Sequence, residues 1–198
     1  MDPSKEKLVS FYRYLFLKYG SGPEATGGSA EGRRFRFSKL MEIADLKNQR
    51  VLDLGCGMGD FYPFLTELFG KVDYTGIDIV PETIAYAAKK YPQARFECRD
   101  VRAEGIDATF DYVLLNEVFN NELADGEAYM KELLTTAFQH CARGLAFNFI
   151  STYVNFRDGE RAYHDPLEVL DFCLKTLTRK VTLYHHYERC DVAVFAYR

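Results

Sequence analysis

"VLDLGCGMGDF", Val51 to Phe61, sets three glycines into five positions directly behind four residues that read as a buried strand. Glycine loses more conformational freedom on folding than any other residue, so this cluster weakens the fold unless something needs the space. A strand, a glycine turn and then a helix form a cofactor-binding arrangement at the first crossover of an α/β sheet. Gly55 allows the turn off the strand, and Gly57 lets the backbone approach a ligand with no Cβ in the way. Gly59 permits close packing where the next helix starts. That helix start supplies free N–H groups and partial positive charge, and Asp60 is placed to cap it.

The spacing then discriminates between cofactors. A dinucleotide fingerprint reads G-x-G-x-x-G, whereas Asp53 to Gly59 reads D-x-G-x-G-x-G. The aspartate sits on the strand, two positions before the first glycine. A carboxylate there repels a pyrophosphate. It welcomes an ammonium group or, through water, a sulfonium-bearing amino acid. A second carboxylate, Asp78, ends the next strand in "YTGIDI". It stands near the roughly 20-residue spacing at which an acid accepts hydrogen bonds from ribose hydroxyls. A ligand with a ribose and an amino-acid-like cation fits both.

Outward from this motif the chain alternates strands and helices. Expected strands cover 50–54, 72–77, 94–98, 111–115, 145–149, 180–186 and 191–197, and expected helices 61–69, 81–91, 123–141 and 166–174. Pro81 and Pro166 stand where first-turn prolines belong. Repeated crossovers imply a doubly wound, mostly parallel, seven-stranded α/β sheet. Residues 187–190 leave room only for a hairpin turn, so the sheet ends in an antiparallel hairpin. Upstream, Leu8, Phe11, Tyr12, Leu15, Phe16 and Tyr19 fall at a helical period. Residues 20–34, rich in Gly, Ser and Pro, read as a mobile loop, either a lid or a linker. A second helix is expected over 37–45. The chain thus reads as one domain, a helical lid over 1–45 on a core over 46–198.

At 198 residues the chain suits one domain with a full core. It is 47 % hydrophobic and 27 % charged, an ordinary globular balance, and its net charge is −4. That charge and the absence of a basic stripe argue against nucleic acid as a partner. No apolar window approaches the roughly 20 residues of a membrane helix, and the charged N-terminus lacks a secretory signal. The cytoplasm is the expected compartment. Five scattered cysteines without a CxxC fit buried thiols better than disulfides or a metal site.

These residues resemble the class I S-adenosylmethionine-dependent methyltransferases, from Arg50 to the C-terminus. The resemblance implies a Rossmann-like methyltransferase fold with S-adenosyl-L-methionine as cofactor. It places Asp53, Gly55, Gly57 and Gly59 around the methionine part, Asp78 on the ribose and Ile79 beside the adenine. Asp100, in "ECRDVR", matches the acid that bonds the adenine amino group, with Val101 as the adjacent backbone contact. Asn116 matches the position facing both cofactor and acceptor. An arginine upstream of the first strand grips the cofactor carboxylate in related small enzymes. Arg36 is the best match here, with Arg33 or Arg34 as alternatives.

Methyl transfer is an in-line displacement, and much of its catalysis comes from holding a nucleophile against the methyl group in a dry pocket. A hydroxyl acceptor often needs a base, while a neutral amine or a thiolate need not. The family places acceptor contacts in 116–123, in 148–165 and in the lid. Those stretches offer Phe119, Asn120, Tyr153, Asn155 and Tyr163 as substrate contacts, and Glu117 and His164 as general bases. Glu117 equally suits a helix cap or a cation site, and His164 a loop residue beside Asp165. Aromatic residues, 15 % of the chain, crowd these loops and serve either as acceptor walls or as core.

The chain carries little beyond a catalytic core, so the expected acceptor is a small molecule, methylated on O or N, with no membrane partner and a monomeric or homodimeric state. Two readings compete. A nicotinamide-dependent oxidoreductase requires G-x-G-x-x-G, and Asp60 occupies the place of its third glycine. A non-catalytic S-adenosylmethionine-binding partner subunit would keep the glycine turn and lose the acceptor pocket.

Overall fold

The computed structural model describes residues 3–26, 29–159, 161–185 and 190–198. In chain order come α1 (Pro3–Tyr19), a 3-10 turn (Pro23–Thr26), α2 (Ala30–Met41), β1 (Arg50–Leu54), α3 (Phe61–Phe69), β2 (Asp73–Asp78), α4 (Pro81–Lys90) and β3 (Arg95–Cys98). Then follow α5 (Val101–Glu104), β4 (Phe110–Leu115), α6 (Gly126–Gln139), β5 (Cys141–Ile150), α7 (Pro166–Phe172), a π turn (Cys173–Leu177), β6 (Val181–Tyr184) and β7 (Asp191–Tyr197). The seven strands form one sheet in the order β3-β2-β1-β4-β5-β7-β6. β1 to β5 pair in parallel, and β7 lies antiparallel between β5 and β6. The mostly parallel, doubly wound sheet and its antiparallel end match the sequence pattern.

Both faces of the sheet are covered, and successive residues serve opposite faces. Leu52, Leu54, Val113, Leu115, Leu145, Phe147 and Phe149 meet α6 and α7. Val51, Tyr74, Tyr112, Leu114, Ala146 and Phe195 meet α2 and α3. This alternation brings the carboxyl ends of β1, β2 and β4 level at one edge, beneath α1 and α2.

Several boundaries differ from the expectation, and one helix was not expected. α2 begins at Ala30, well inside the expected loop, because Ser29 caps it: its Oγ accepts from Gly32 N at 3.1 Å. α6 begins at Gly126 instead of residue 123, and β5 already begins at Cys141. The short α5 was not expected; Asp100 caps it by accepting from Arg102 N at 3.1 Å. Of the hairpin, His186 and residues 187–189 lie outside the described residues.

Candidate active site

The glycine turn is held from β2. Gly55 and Cys56 both donate their N–H to Ile77 O, at 2.8 and 3.1 Å. Gly55 has φ 81°, and a Cβ there would stand 2.6 Å from Val118 Cγ2. Gly59 has φ 73°, and a Cβ there would stand 2.7 Å from the Phe96 ring. Left-handed backbone and crowding together exclude a side chain at both positions. A Cβ at Gly57, by contrast, would meet nothing within 4 Å. That position faces open space, and the turn lines a cavity there.

Five acidic residues line this cavity: Asp53, Asp60, Asp78, Asp100 and Glu117. Asp78 Oδ2 accepts from Gly57 N at 2.8 Å, and its Oδ1 accepts from Val80 N at 2.9 Å. Burial raises its carboxyl, while these backbone donors oppose the rise. Asp53 is 2 % exposed, and its Oδ2 accepts from the Tyr74 hydroxyl at 2.6 Å. Burial pushes its carboxyl up to about 7, against the Tyr74 hydrogen bond, and the negative Asp78 and Asp60 add to the rise. Among the described residues no lysine or arginine pairs with Asp53. Asp100, besides capping α5, pairs with Lys5 Nζ of α1 at 3.0 Å. Ile79, Val101 and Asn116 also line the cavity.

Beyond β4 a polar frame is built around Glu117, a non-glycine residue at φ 60°. Its N–H donates to Asn148 Oδ1 at 2.6 Å. Asn148 Nδ2 in turn donates to Asn116 Oδ1 at 2.8 Å. The Glu117 carboxylate lines the cavity and pairs with Arg36 Nη1 at 3.2 Å. Arg36 Nε donates to Asp191 Oδ2 at 2.9 Å. Burial pushes the Asp191 carboxyl up to about 6, and Arg36 opposes that rise.

Several expected roles need correction. Arg36 is not on the cavity wall; it is buried as the counter-ion of two acids. Arg33, one helical turn earlier, lines the cavity and pairs with Asp60, while Arg34 lies over the Phe64 ring at 5.4 Å. Asp60 makes no capping bond, because Arg33 and Lys90 take its carboxylate. His164 lines a separate hollow with Tyr163, and its Nε2 donates to Phe119 O at 2.9 Å. Burial lowers its pKa, so the ring is a neutral strut between two loops. Phe119 is core at 3 % exposure, packed edge-on to Tyr129 and Phe147.

The remaining loop residues also stay off the cavity wall. Tyr153 is 60 % exposed and Asn155 is exposed. The Tyr163 hydroxyl accepts from Asp158 N at 2.8 Å. Asn120 Oδ1 is buried and finds no hydrogen-bond partner among the described residues.

The sequence reading placed acceptor contacts in the lid but named no residue of α1 among them. Lys5, Leu8 and Tyr12 line the cavity from that helix, on a stripe whose period was visible but whose facing was not. Tyr12 Oη accepts from Asn121 Nδ2 at 2.6 Å, and burial pushes the phenol up to about 12. It is therefore a hydrogen-bond donor at neutral pH. Phe37, Thr83, Tyr129 and Leu133 complete the wall. Among the described residues no helix is long and apolar enough to cross a membrane.

A family profile described as a methyltransferase domain matches residues 51–145. Rv1506c of Mycobacterium tuberculosis, named as a candidate methyltransferase, is 33 % identical over 144 residues, which are 69 % of this chain and 86 % of that protein. Among solved structures, magnesium protoporphyrin IX methyltransferase from Synechocystis PCC 6803 superposes with TM-score 0.72 at 14 % identity, over 100 % of this chain and 98 % of its own. The N-methyltransferase NodS from Bradyrhizobium japonicum WM9 superposes with TM-score 0.67 at 17 % identity, over 98 % of each chain. The fold, the glycine turn with its two strand-end aspartates, and a relative matched over most of its length agree: the chain belongs to the class I S-adenosylmethionine-dependent methyltransferase family.

Proposed function

We propose that this chain transfers the methyl group of S-adenosylmethionine to an oxygen or nitrogen atom of a small molecule. One observation carries the reading. The glycine turn, the Asp53 and Asp78 carboxylates, and the Asn116–Glu117 frame all line one cavity roofed by α1 and α2. The cofactor supplies a methyl group activated on a positive sulfur, open to in-line displacement. This chain's residues suit it. Asp53, a buried carboxylate with no cation partner among the described residues, suits the amino-acid cation. Asp78 suits ribose hydroxyls, and Ile79, Val101 and Asp100 suit the adenine. Arg33 takes the carboxylate role first assigned to Arg36.

On the acceptor side Tyr12 donates a hydrogen bond, and Glu117, fixed by Arg36, accepts one. Together they orient a nucleophile that carries its own proton. α1 and α2 cover the reacting end of the cavity and keep water out. Buried free thiols at Cys56, Cys141 and Cys173 support a reducing, cytoplasmic setting. The net charge of −4 without a basic stripe supports a partner set that excludes nucleic acid. Thermal shift with S-adenosylhomocysteine and with NAD tests the cofactor, and a panel of amines, phenols and carboxylates tests the acceptor. A melting-point rise with NAD alone would overturn the reading. A rise with S-adenosylhomocysteine but no turnover across the panel would favour a non-catalytic partner subunit.

A further inference from the structure

We propose that Tyr74 is a positioning residue of the cavity: its hydroxyl aims the Asp53 carboxylate beside the glycine turn and favours its ionised form, so that loss of the hydroxyl raises the pH needed for ligand binding. The inference rests on the proposed binding of S-adenosylmethionine at this turn. In the parallel register of β1 and β2, Val51 stands opposite Tyr74 and Asp53 opposite Gly76. Asp53 and Tyr74 therefore share one face of the sheet as diagonal neighbours, within reach of a long side chain. With no side chain at Gly76, Cys56 Sγ and the Phe96 ring come within 2.7 and 2.9 Å of where its Cβ would be. The Tyr74 ring packs against Tyr62 and Phe96, at 5.2 and 5.7 Å between centroids. Its hydroxyl ends 2.6 Å from Asp53 Oδ2.

Among the described residues, the charged groups acting on Asp53 are acids. From β2 it meets Tyr74 and Asp78, and from the turn and the start of α3 it meets Cys56 and Asp60. Its partner on β4 is the apolar Leu114. The phenol of Tyr74 is itself held far above its ordinary pKa by burial and by Asp53, so it remains a donor throughout the physiological range. Among the described residues, this hydrogen bond is what favours the ionised carboxylate, and a bound cation adds to it. A ligand ammonium binds best above the pKa of Asp53, and its affinity falls as pH drops through about 7. Loss of the hydroxyl moves that fall to higher pH.

The test is calorimetry with S-adenosylhomocysteine from pH 6 to pH 9, on the wild type, Tyr74→Phe and Asp53→Asn. The wild type is expected to lose affinity by about tenfold per pH unit below its midpoint. Tyr74→Phe keeps affinity within about threefold at pH 9, has its midpoint raised by about one unit, and is about fivefold weaker than wild type at pH 7 and close to tenfold weaker at pH 6. Asp53→Asn binds weakly, with a flat profile; a variant that keeps the wild-type fall would place the titration elsewhere and overturn the proposal even if Tyr74→Phe does not fold. A Tyr74→Phe profile parallel to the wild type, or a flat wild-type profile, overturns the role of Tyr74 and leaves the cofactor reading intact. No heat at any pH overturns both.

Discussion

The glycine turn after β1 and the long loop after β5 were both expected to build the site, and the structure uses them differently. The turn is short, pinned by two N–H bonds to Ile77 O, and its carboxylate neighbours face the cavity. The loop directs His164 to a backbone carbonyl and Tyr163 to Asp158 N, and leaves Tyr153 exposed. Its polar groups are spent on holding loop to loop. A short turn at the end of a buried strand has its side-chain directions dictated by the sheet. A long loop satisfies its own backbone first, and its polar residues are the available partners.

Substitutions can break this contrast, and the largest effect is expected at the buried ion pairs of Arg36. Arg36→Ala removes the ion-pair partner of the buried Asp191 and the half-buried Glu117, which costs about 3–5 kcal/mol. Urea denaturation reads that loss directly, and a cost below about 1 kcal/mol would return Arg36 to a surface role. Asp78→Ala removes the acceptor of Gly57 N and the proposed ribose contact. S-adenosylhomocysteine affinity should fall by about 100-fold or more, near 2.7 kcal/mol, and unchanged calorimetry would detach the turn from the cofactor. Gly59→Ala forces a side chain onto Phe96 in left-handed backbone and should cost about 1–3 kcal/mol in thermal stability.

Smaller effects sharpen the contrast. Because folding raises the Asp53 carboxyl to about 7, ionised Asp53 destabilises the fold. That cost is absent below pH about 4, grows as pH rises towards 7, and is constant above it. Asp53→Asn should therefore melt a few degrees higher than wild type at pH 8 and equally at pH 4, while binding its ligand less well. Scanning calorimetry at the two pH values checks the sign. His164→Gln retains a donor for Phe119 O and should change turnover by less than about threefold. A loss of 100-fold or more, the scale of a missing base, would make the loop catalytic after all.

Much of the fold was legible because its signals are local. Alternating strands and helices, with prolines at helix starts, predicted the order of elements and the antiparallel end. The Asp53 and Asp78 positions followed from the glycine spacing. Residues 20–34 were harder, since glycines and serines there hide a capped helix start at Ser29. The choice among the three arginines of α2 could not be read. Arg33 and Arg36 lie on one side of that helix, about 4.5 Å apart along its axis. One is level with Asp60 and the other with Asp191, 155 residues away in the chain.

The sequence by itself determined which strand ends carry acids and where backbone must turn without a side chain. Those demands are set by neighbours a few residues apart, through pleat, helical period and the reach of φ. Only the tertiary structure decided that Arg33 faces the cavity while Arg36 neutralises Asp191. It alone set Tyr12 into the cavity wall and turned His164 into a strut. Each of these depends on a partner brought close by packing, and burial makes an unpaired charge costly enough that the nearest opposite group takes it.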